Sequence, residues 1–501
     1  MEANAAAADA PAVEDPAGLK KDAISFTDGL VIALASTAPA YSLAAVIGSI
    51  VVLVGLQAPA ALIVSFVPMF FIASAFYYMN KADPDCGTSF SWVTRAIGPQ
   101  SGWMTGWAIC VTGILVVGSL ADVAAYSFYD LIGAEGLAAS VGWVTATAVV
   151  LMIVMTGICV WGTEISANLQ KILMVMQLVP LLLFVAVALW KVFAGDAPGG
   201  SVEPGLSWFN PFAIEGTGAL TGALLLGVFI YWGWESAVNL NEETGGDVTK
   251  PGLAGVISTT ILLVTYLGVA TALVAWGGVK GATGFDDDAA ILSTYADQVL
   301  GGTLGPLVLL AVVVSALAST QTTILPASRT SMSMARAEAM PKAFGEISKR
   351  FFTPVVSTVT IGVLAIIWYL PAKLISENFL FDSLSALSLM IAFYYAFTGF
   401  GCAFYYRHEL RKSVKNFLFV GVAPVIGALL LSYLFIKSLI DWSNPETSAS
   451  GTASWLGFVP PAVIGVGFLL LGVVLLFAWR YHQKEPFFKR RREIADPHLL
   501  D

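Results

Sequence analysis

The chain consists largely of apolar stretches, each long enough to cross a lipid bilayer as a helix. Crossing the hydrocarbon core takes about 20 apolar residues. Twelve such stretches follow one another with short polar joints, at roughly 27–55, 57–80, 100–132, 139–161, 165–194, 214–240, 252–277, 302–335, 353–371, 378–406, 415–440 and 457–482. Only helices and closed barrels satisfy every backbone polar group inside lipid. The pattern therefore predicts an all-α membrane protein with twelve transmembrane helices.

Composition indicates one membrane domain with short tails. Hydrophobic residues make up 57% of the 501 residues and charged residues only 12%, which is far from the composition of a soluble domain. We expect a disordered cytoplasmic tail at 1–24, a single transmembrane domain at 25–485 and a cytoplasmic tail at 486–501. The net charge of −9 does not point to nucleic acid. The expected surroundings are the lipid bilayer, and no obligate protein partner is evident.

The positions of Lys and Arg predict the orientation. If both termini are cytoplasmic, only Lys191, Lys280, Lys373 and Lys437 fall on the outer side, which leaves 25 − 4 = 21 on the inner side. Cytoplasmic loops are enriched in Lys and Arg. We therefore expect a multi-pass protein of the cytoplasmic membrane with both termini inside. Asp382 is expected to be exposed near the outer surface.

Cysteine and histidine provide no metal or haem site. Cys86, Cys110, Cys159 and Cys402 lack metal-ligand spacing, and three of them lie in apolar stretches. Buried free thiols are therefore expected. The three histidines fall in polar joints or in the tail. No metal and no organic cofactor is predicted.

The sixth stretch contains a carboxylate within an apolar run, at 231–236 (YWGWES). A charge at membrane depth costs on the order of 2.5 to 3.5 kcal/mol even on the mildest scale. Glu235 therefore marks a candidate site. Gly233 weakens the helix beside it, and helices interrupted in this way form midplane binding sites in many transporters.

The first stretch has a comparable irregularity at 36–41 (STAPAY). Pro39 lacks a backbone donor and disfavours helix at the residue before it. One interpretation is an ordinary proline kink. The other is a second interrupted helix, five helices before the first, so that a second block of five would run inverted relative to the first block. The two repeats would cover about 27–194 and 214–406, and two further helices would lie at about 415–482.

Three polar joints resemble those of a known family. The segment 85–107, which contains DCGTSF, RAIGP, Gly102 and the pair Gly106-Trp107, is similar to the loop after the second helix of the amino acid-polyamine-organocation superfamily. The segment 235–251, which contains NEET at 241–244, is similar to the stretch after the broken sixth helix of that superfamily. The segment 325–341, with LPASR and ARAEAMP, is similar to the end of its eighth helix. The match spans roughly 25–410 and indicates an amino acid permease-like member.

The resemblance implies the leucine transporter-like fold, with five plus five inverted repeats, broken helices 1 and 6, and helices 11 and 12 added outside. It also implies secondary transport of an amino acid or a related amine. Two positions depart from the family pattern. Pro39 lies in a break that is usually Gly-Ser-Gly-like, and the lost amide makes a polyamine or another amine more credible as substrate. Gln177 stands where some proton-coupled members have a lysine, and glutamine does not titrate.

The two breaks provide the candidate substrate-binding residues. Free amides at the new amino terminus in helix 1 can hold a carboxylate. Indole rings in the other break can stack on an aliphatic or cationic group, although ordinary helix packing is the alternative for each of them. The predicted substrate site comprises Ser36, Thr37, Ala38, Ala40, Tyr41, Tyr231, Trp232, Gly233 and Trp234.

Two carboxylates are candidates for a structural or coupling role. Glu235 either binds a substrate amine or a coupled proton, or anchors the unwound backbone of helix 1. The anchor is favoured because the family carries a carboxylate here whatever the charge of its substrate. Asp122 either lies in a wet vestibule near the outer end of the third helix, or faces inward as a counter-ion or proton carrier.

The eighth stretch carries hydroxyl side chains at helical spacing. Sodium-coupled relatives of the fold use adjacent hydroxyls in this helix as a sodium site, so the resemblance implies a possible ion site at Ser315, Ala316, Ser319 and Thr320. The alternative is that small hydroxyl residues allow close helix packing. Proton coupling, sodium coupling and uncoupled transport all stay open.

The sequence thus predicts a secondary active transporter that imports an amino acid by alternating access, with ion coupling expected. A permease for a polyamine or another organic amine is the alternative within the same class. A membrane receptor that binds such ligands without net transport is the alternative of another class. An enzyme is not expected, because the sequence offers no nucleophile and base pair, no metal cluster and no nucleotide loop.

Overall fold

The computed structural model describes residues 18–282, 288–376, 378–444, 454–483 and 486–492, and all regular secondary structure in these ranges is helical. The principal helices, in chain order, are α1 (Phe26–Ser36), α2 (Pro39–Val54), α3 (Ala58–Ala82), α4 (Ser89–Ala96), α5 (Pro99–Leu131), α6 (Glu135–Ala138), α7 (Val141–Trp161), α8 (Thr163–Ala194), α9 (Thr217–Ile230), α10 (Ser236–Asn239), α11 (Lys250–Ala282), α12 (Asp288–Leu300), α13 (Pro306–Arg336), α14 (Val355–Ile375), α15 (Phe379–Tyr405), α16 (Val414–Asn416), α17 (Ala423–Asp441) and α18 (Pro460–Gln483).

Ten helical segments of the described residues are long and apolar enough to cross a membrane. This number confirms an all-helical, multi-pass membrane protein. Two features keep it below the predicted twelve. The first segment, Phe26–Ala82, is 57 residues long and contains α1, α2 and α3, and α9 has only 14 residues.

Two helices are interrupted where the sequence is irregular. α1 ends at Ser36 and α2 begins at Pro39, and between them Ala38 adopts left-handed φ and ψ angles of 48° and 63°. Proline fits the first position of α2, because its missing N–H has no partner there in any helix. α9 ends at Ile230, and four-residue α10 begins only at Ser236. The proline therefore starts a new helix segment rather than only kinking one.

The two longest buried helices form the centre of the molecule. The most apolar part of α5 is fully buried and that of α13 is 83% buried, and these two helices pack along each other. The corresponding parts of α7 and α18 are only 22% and 28% buried. Helices with this much exposed apolar surface face lipid in a membrane protein. In the interior, α1, α2 and α10 pack against α13, whereas α9 packs against α2, α3 and α15.

Both ends of the described chain pack against the helices. Leu19 is 1% exposed in a cluster with Cys86 and Met332, and Phe487 is fully buried against Phe90. The boundaries expected at 24 and 485 thus lie beside packed residues. Residues 1–17 and 493–501 of the expected tails lie outside the described residues.

Candidate functional site

The two helix breaks touch each other at Gly233. This residue has a φ of 115°, and a Cβ atom on it would lie 2.8 Å from the Ser36 carbonyl oxygen and 3.1 Å from the Thr37 nitrogen. Both the positive φ and the close backbone approach require glycine. The glycine that weakens the sixth predicted helix is therefore the residue that lets the two interrupted helices meet.

Serine side chains join the breaks to α13. The hydroxyls of Ser36 and Ser236 lie 2.5 Å apart, and each lies 3.3 Å from the carbonyl oxygen of Thr322. The Ser319 hydroxyl donates to the Ser36 carbonyl at 2.8 Å. Carbonyls at a helix end need such partners when water is excluded. α13 thus supplies hydrogen bonds that helix 1 loses where it is interrupted.

Tyr266 of α11 connects the same two ends. Its hydroxyl lies 2.7 Å from the carbonyl oxygen of Ile230, the last residue of α9, and 3.5 Å from that of Thr37. The Thr37 carbonyl also accepts the Ser42 hydroxyl at 2.7 Å. One buried phenol therefore bridges the carbonyl ends of both helices.

Glu235 is enclosed by hydrogen-bond donors. Tyr394 donates to one carboxylate oxygen at 2.5 Å, and Tyr395 donates to the other at 2.6 Å. The Gly233 amide donates to that second oxygen at 3.1 Å. The indole N–H of Trp232 in turn donates to the Tyr394 hydroxyl. Three donors keep a buried carboxylate satisfied, and they tie the helix 6 break to α15 rather than to the backbone of helix 1.

A small buried cavity lies at this junction. Its lining combines one carboxylate with hydroxyl, amide and aromatic groups: Ser36, Thr88, Ile109, Gly113, Trp232, Gly233, Glu235, Ser236, Asn239, Thr323, Pro326, Ala327 and Tyr394. Its volume is about 20 Å³, whereas a single water needs about 10–15 Å³ on this measure. The cavity as it stands accommodates a water molecule, and a larger ligand requires the surrounding helices to move.

The amide groups expected at the helix 1 break are largely engaged. Those of Thr37 and Ala38 donate to carbonyls within α1, and that of Tyr41 donates to the Ser315 hydroxyl at 3.3 Å. Pro39 has no N–H. Among the amides of Thr37, Ala38, Ala40 and Tyr41, only that of Ala40 makes no hydrogen bond within the described part of the chain. The break therefore offers a carboxylate far fewer donors than an open helix amino terminus does.

The aromatic residues of the helix 6 break differ in position. Trp232 lines the cavity, whereas Trp234 is fully buried against Phe76 and Tyr395 at centroid distances of 5.0 and 5.8 Å. Tyr231 packs edge-on against Phe66 and Tyr266, and Tyr41 packs against Phe229. Edge-to-face pairs of this kind stabilise a core. Trp232 is thus the aromatic side chain of the break that faces the cavity.

The hydroxyls considered as an ion site connect α13 to helix 1. Ser315 accepts the Tyr41 amide, Ser319 donates to the Ser36 carbonyl, and Thr320 donates to the carbonyl of Ala316 at 2.8 Å. The Ser319 oxygen thus lies next to the freed Ser36 carbonyl, and carbonyl oxygens are ligands that a hard cation takes. The same contacts also agree with the alternative that these small hydroxyl residues allow close helix packing.

Asp122 lies away from the central cavity. One of its oxygens accepts the Tyr369 hydroxyl at 2.5 Å, and the other lies 2.9 Å from the Lys373 ammonium. The carboxylate is 4% exposed and lines a separate cavity of about 190 Å³ between α5, α7 and α14. The expectation for Asp382 is wrong, because it is only 3% exposed and accepts the Ser376 hydroxyl at 2.6 Å.

A layer of polar side chains lies around and after α10, next to the cavity. The guanidinium of Arg329 on α13 lies 3.0 Å from a carboxylate oxygen of Glu243, which follows α10, through both Nε and Nη2. The two side chains are 0% and 2% exposed. Fully desolvated ion pairs are rare, and removing one partner is strongly destabilising. This pair thus joins the segment that follows α10 to α13.

Further contacts in the layer involve the segment after α3. Asn239 donates to the Cys86 carbonyl and to the Thr88 hydroxyl, each at 3.1 Å. Glu242 accepts the Cys86 amide at 3.0 Å and the Arg336 guanidinium at 2.9 Å. The four cysteines are free and buried, as predicted. Burial holds the pKa of the Cys86 thiol well above its usual value.

Several residues at the junction were not anticipated, namely Tyr266, Thr322, Tyr394 and Tyr395. The available signal was general: polar groups inside apolar stretches need partners, and α15 carries two adjacent tyrosines at mid-span. Arg329 and Asn239 lie in segments whose only distinguishing feature in the sequence is their resemblance to joints of the superfamily. Their partners are distant in sequence, so no local pattern identifies them.

The fold and the junction define a class: a multi-pass helical membrane protein with a buried site between two interrupted helices. Comparison with family models gives a match to the family described as "Amino acid permease" over residues 31–479. The chain belongs to this amino acid permease family, as the resemblance of its joints predicted.

Similar proteins include permeases for several small molecules. The chain is 25% identical to cationic amino acid transporter 3, mitochondrial, of Arabidopsis thaliana over 59% of this chain and 49% of that protein, so it spans about half the length of the plant relative. It is 23% identical to the low-affinity putrescine importer PlaP of Escherichia coli K12, over 76% of this chain and 80% of that protein. It is 24% identical to the arginine/ornithine antiporter ArcD2 of Lactococcus lactis, over 78% and 83% respectively.

Proposed function

We propose that the protein is a secondary transporter that imports an amino acid by alternating access, with the substrate bound between the breaks in helices 1 and 6. The observation that carries the proposal is the buried cavity at Gly233, where both breaks meet around a carboxylate. Membership of a family of transporters supports it. We infer that the protein is not an enzyme, because its small-molecule ligand is moved rather than converted.

The proposed architecture has twelve membrane helices in two inverted repeats of five. α1 and α2 together form helix 1, α9 and α10 form helix 6, and α17 and α18 belong to the two added helices. The ten spans become twelve when Phe26–Ala82 is counted as two membrane helices and the short α9 is counted as part of a further one. The repeats cover about 27–194 and 214–406 within one transmembrane domain.

The proposed location is the cytoplasmic membrane, with both described ends on the inner side. The basic residues support this orientation, because Arg336, Arg411 and Arg490 fall on the same side when both termini are cytoplasmic. The layer formed by Arg329, Glu243 and their neighbours then separates the cavity from the cytoplasm. We infer that it is the inner barrier of the transport path.

The proposed substrate is bound mainly through its amino group. The described residues that line the cavity include one carboxylate and no Lys, Arg or His. A cation between Glu235 and the face of Trp232 would gain up to about 2 kcal/mol from the indole alone when desolvated. The helix 1 break, with one amide left for a carboxylate, contributes less. The names of the similar proteins, which refer to cationic amino acids, ornithine and putrescine, agree with recognition of an amine.

A polyamine or another organic amine is the second candidate substrate. Pro39 favours it, because a substrate without a carboxylate does not need the amide that proline lacks. For the coupling ion, the Ser319 hydroxyl beside the Ser36 carbonyl supports sodium, with the Ser315 hydroxyl one turn earlier on α13 against the Tyr41 amide. Proton coupling would require a titrating group, for which Glu235 is the nearest carboxylate to the substrate.

The test is uptake into proteoliposomes containing the purified protein. Labelled lysine, arginine, a neutral amino acid and putrescine are offered with an imposed sodium gradient, proton gradient or neither. We expect accumulation of at least one amine-bearing substrate. Trp232→Ala should raise the KM by up to about thirtyfold, the equivalent of 2 kcal/mol. Glu235→Gln should impair uptake as well.

The matched control is Trp190→Ala, since Trp190 is 64% exposed on the lipid-facing side of α8. Normal KM in the Trp232 variant would show that the site is misplaced. Binding of a ligand without accumulation under every gradient would contradict transport and favour a membrane receptor.

A further inference from the structure

A large apolar groove lies on the side of the molecule away from the two helix breaks. It is formed by α5, α13, α14 and α18, and its volume is about 710 Å³. Trp103 and Ile114 mark its two ends along α5. Its lining is almost entirely apolar, and residues that border it, such as Leu364 and Leu475, are 40% and 37% exposed. We call it the membrane groove.

The membrane groove matches one leaflet of a bilayer in length. Trp103 and Ile114 are eleven residues apart in one helix, which corresponds to about 16 Å at 1.5 Å per residue. Half of a hydrocarbon core is about 15 Å thick. An acyl chain that enters at the Trp103 end therefore reaches the bilayer midplane where the groove ends.

The tryptophans that line the groove present only their apolar faces to it. The indole N–H of Trp103 donates to the Ala339 carbonyl at 3.0 Å, and that of Trp107 donates to the Phe468 carbonyl at 2.8 Å. The indole N–H of Trp479 donates to the Glu338 carbonyl at 3.2 Å. Indoles whose N–H groups are engaged in this way form a hydrocarbon-like wall.

Basic residues are chain neighbours of groove residues at the Trp103 end. Lys342 directly follows Pro341, and Arg480 directly follows Trp479, and both Pro341 and Trp479 line the groove. Arg490 donates to the Ala337 carbonyl at 3.2 Å. The loop between α13 and α14 contains two acidic residues, Glu338 and Glu346, and three basic ones, Lys342, Lys349 and Arg350. Together with Arg480 and Arg490 these residues leave a net positive charge on this side of the protein, which complements a phosphate group.

The C-terminal segment fixes one of these cations. Phe487 is fully buried and stacks on Phe90 at 5.7 Å, and the Arg490 guanidinium lies over its ring at 5.5 Å. Arg480 lies 6.0 Å from the ring of Phe488. The two arginines therefore flank a docked pair of phenylalanines, so their positions are set by folded structure.

We propose that the membrane groove binds an anionic phospholipid, with one acyl chain along α5 and its phosphate group at Lys342, Arg480 and Arg490. The lipid belongs to the leaflet on the side of the C-terminal segment, which is the inner leaflet in the proposed orientation. The bound chain fills the space between α14 and α18, and it contacts α13 near its end. Anionic lipid should therefore stabilise this side of the helix assembly.

The test is direct measurement of lipid binding to the full-length protein. Protein purified in mild detergent and stripped of lipid is titrated with phosphatidylglycerol or with phosphatidylcholine of the same chains. Native mass spectrometry counts the adducts, and thermal unfolding reports stabilisation. We expect one tight phosphatidylglycerol adduct and a higher unfolding midpoint, with phosphatidylcholine binding at least tenfold weaker.

Two variants separate the headgroup from the acyl chain. Each cation removed should weaken binding by about fivefold, so Arg480→Gln with Arg490→Gln should weaken it about 25-fold. Ala478→Phe, in the groove wall, should reduce binding of both lipids without a change of charge. Arg411→Gln with Lys415→Gln removes two exposed basic residues from another loop, and it should leave the adduct unchanged.

The proposal is overturned if both lipids bind equally, if the arginine variant keeps its phosphatidylglycerol affinity, or if the Ala478 variant does. The proposal would also be overturned if inorganic phosphate alone raised the thermal unfolding midpoint as much as the lipid does. None of these measurements uses transport. A failure here therefore stays distinct from a failure of the proposed uptake activity. Only the assignment to the inner leaflet rests on the proposed function, through the membrane orientation proposed there.

Discussion

The buried ion pair between Arg329 and Glu243 gives a quantitative prediction about the proposed inner barrier. Glu243→Gln keeps the shape of the side chain and removes its charge. The guanidinium of Arg329, which is 0% exposed, then lacks its opposite charge at 3.0 Å. Loss of one partner of a buried pair costs about 3–5 kcal/mol. A conformation that lets water reach Arg329 recovers part of this cost, so the variant favours opening on the α10 side.

The size of the shift follows from the same cost. If opening recovers about 3 kcal/mol, the ratio of open to closed molecules rises about 100-fold, since each 1.4 kcal/mol is a factor of ten. If the closed state of the unsubstituted protein is about a thousand times more populated than its open state, the closed state of the variant would be only about ten times more populated. This is an upper range, because a neutral glutamine still accepts a hydrogen bond from the guanidinium.

Cys86 provides the assay, because it lies in the polar layer next to Asn239. Its thiol is 1% exposed, and burial raises its pKa, so the reactive thiolate is scarce while the layer is closed. In a background where Cys86 is the single cysteine, a membrane-impermeant maleimide should label the Glu243→Gln variant many times faster than the unsubstituted protein. The labelling rate at fixed pH measures the open fraction.

A double-mutant cycle separates the ion pair from general damage. Arg329→Gln with Glu243→Gln removes both charges and should label more slowly than Glu243→Gln alone, since no unpaired charge is buried. Asp441→Asn, in the pair that Lys437 forms on α17, should label like the unsubstituted protein. Equal rates in Glu243→Gln and Asp441→Asn would refute the inference that the pair holds the layer closed.

Three further predictions concern the junction and its surroundings. Gly233→Ala should lower the thermal unfolding midpoint and abolish uptake, because its Cβ would meet the Ser36 carbonyl at 2.8 Å, while Gly467→Ala meets nothing within 4 Å and should be tolerated. Tyr394→Phe should lower uptake in proteoliposomes at least tenfold, because the indole of Trp232 and one oxygen of the buried carboxylate both lose their partner. Asp122→Asn should destabilise the protein in thermal unfolding without changing its preference between cationic and neutral substrates, and a selective loss of cationic uptake would contradict this.

The interrupted helices could be predicted from sequence because their causes are local. Pro39 cannot continue a helix, and Gly233 beside two bulky indoles weakens one. The structure shows in addition that the two breaks are in contact, because a Cβ atom on Gly233 would lie 2.8 Å from the Ser36 carbonyl oxygen. A sequence pattern indicates where a helix ends, but it does not indicate which other helix end lies next to it.

The partners of the charged groups could not be predicted, because they are far apart along the chain. Asp122 meets Lys373 across 251 positions, and Arg329 meets Glu243 across 86. Each pair joins helices whose faces become opposed only in the assembled bundle. A single carboxylate in an apolar stretch predicts a partner or water. Both alternatives for Asp122 are compatible with that rule, and its partner is identified only by its contacts with α14.

The short helix α10 explains how one cavity can serve two sides of a membrane under the proposed mechanism. Four residues make few helical hydrogen bonds, so α10 has little stability of its own. It is instead held by side chains, through Ser236 to the helix 1 break, through Asn239 to Thr88, and through the segment that follows it to Arg329. The first contact lies within the pair of interrupted helices, whereas the other two cross to separate elements. Movement of the inner halves of helices 1 and 6 as one unit keeps the first contact and breaks the others, which opens the 20 Å³ cavity on that side.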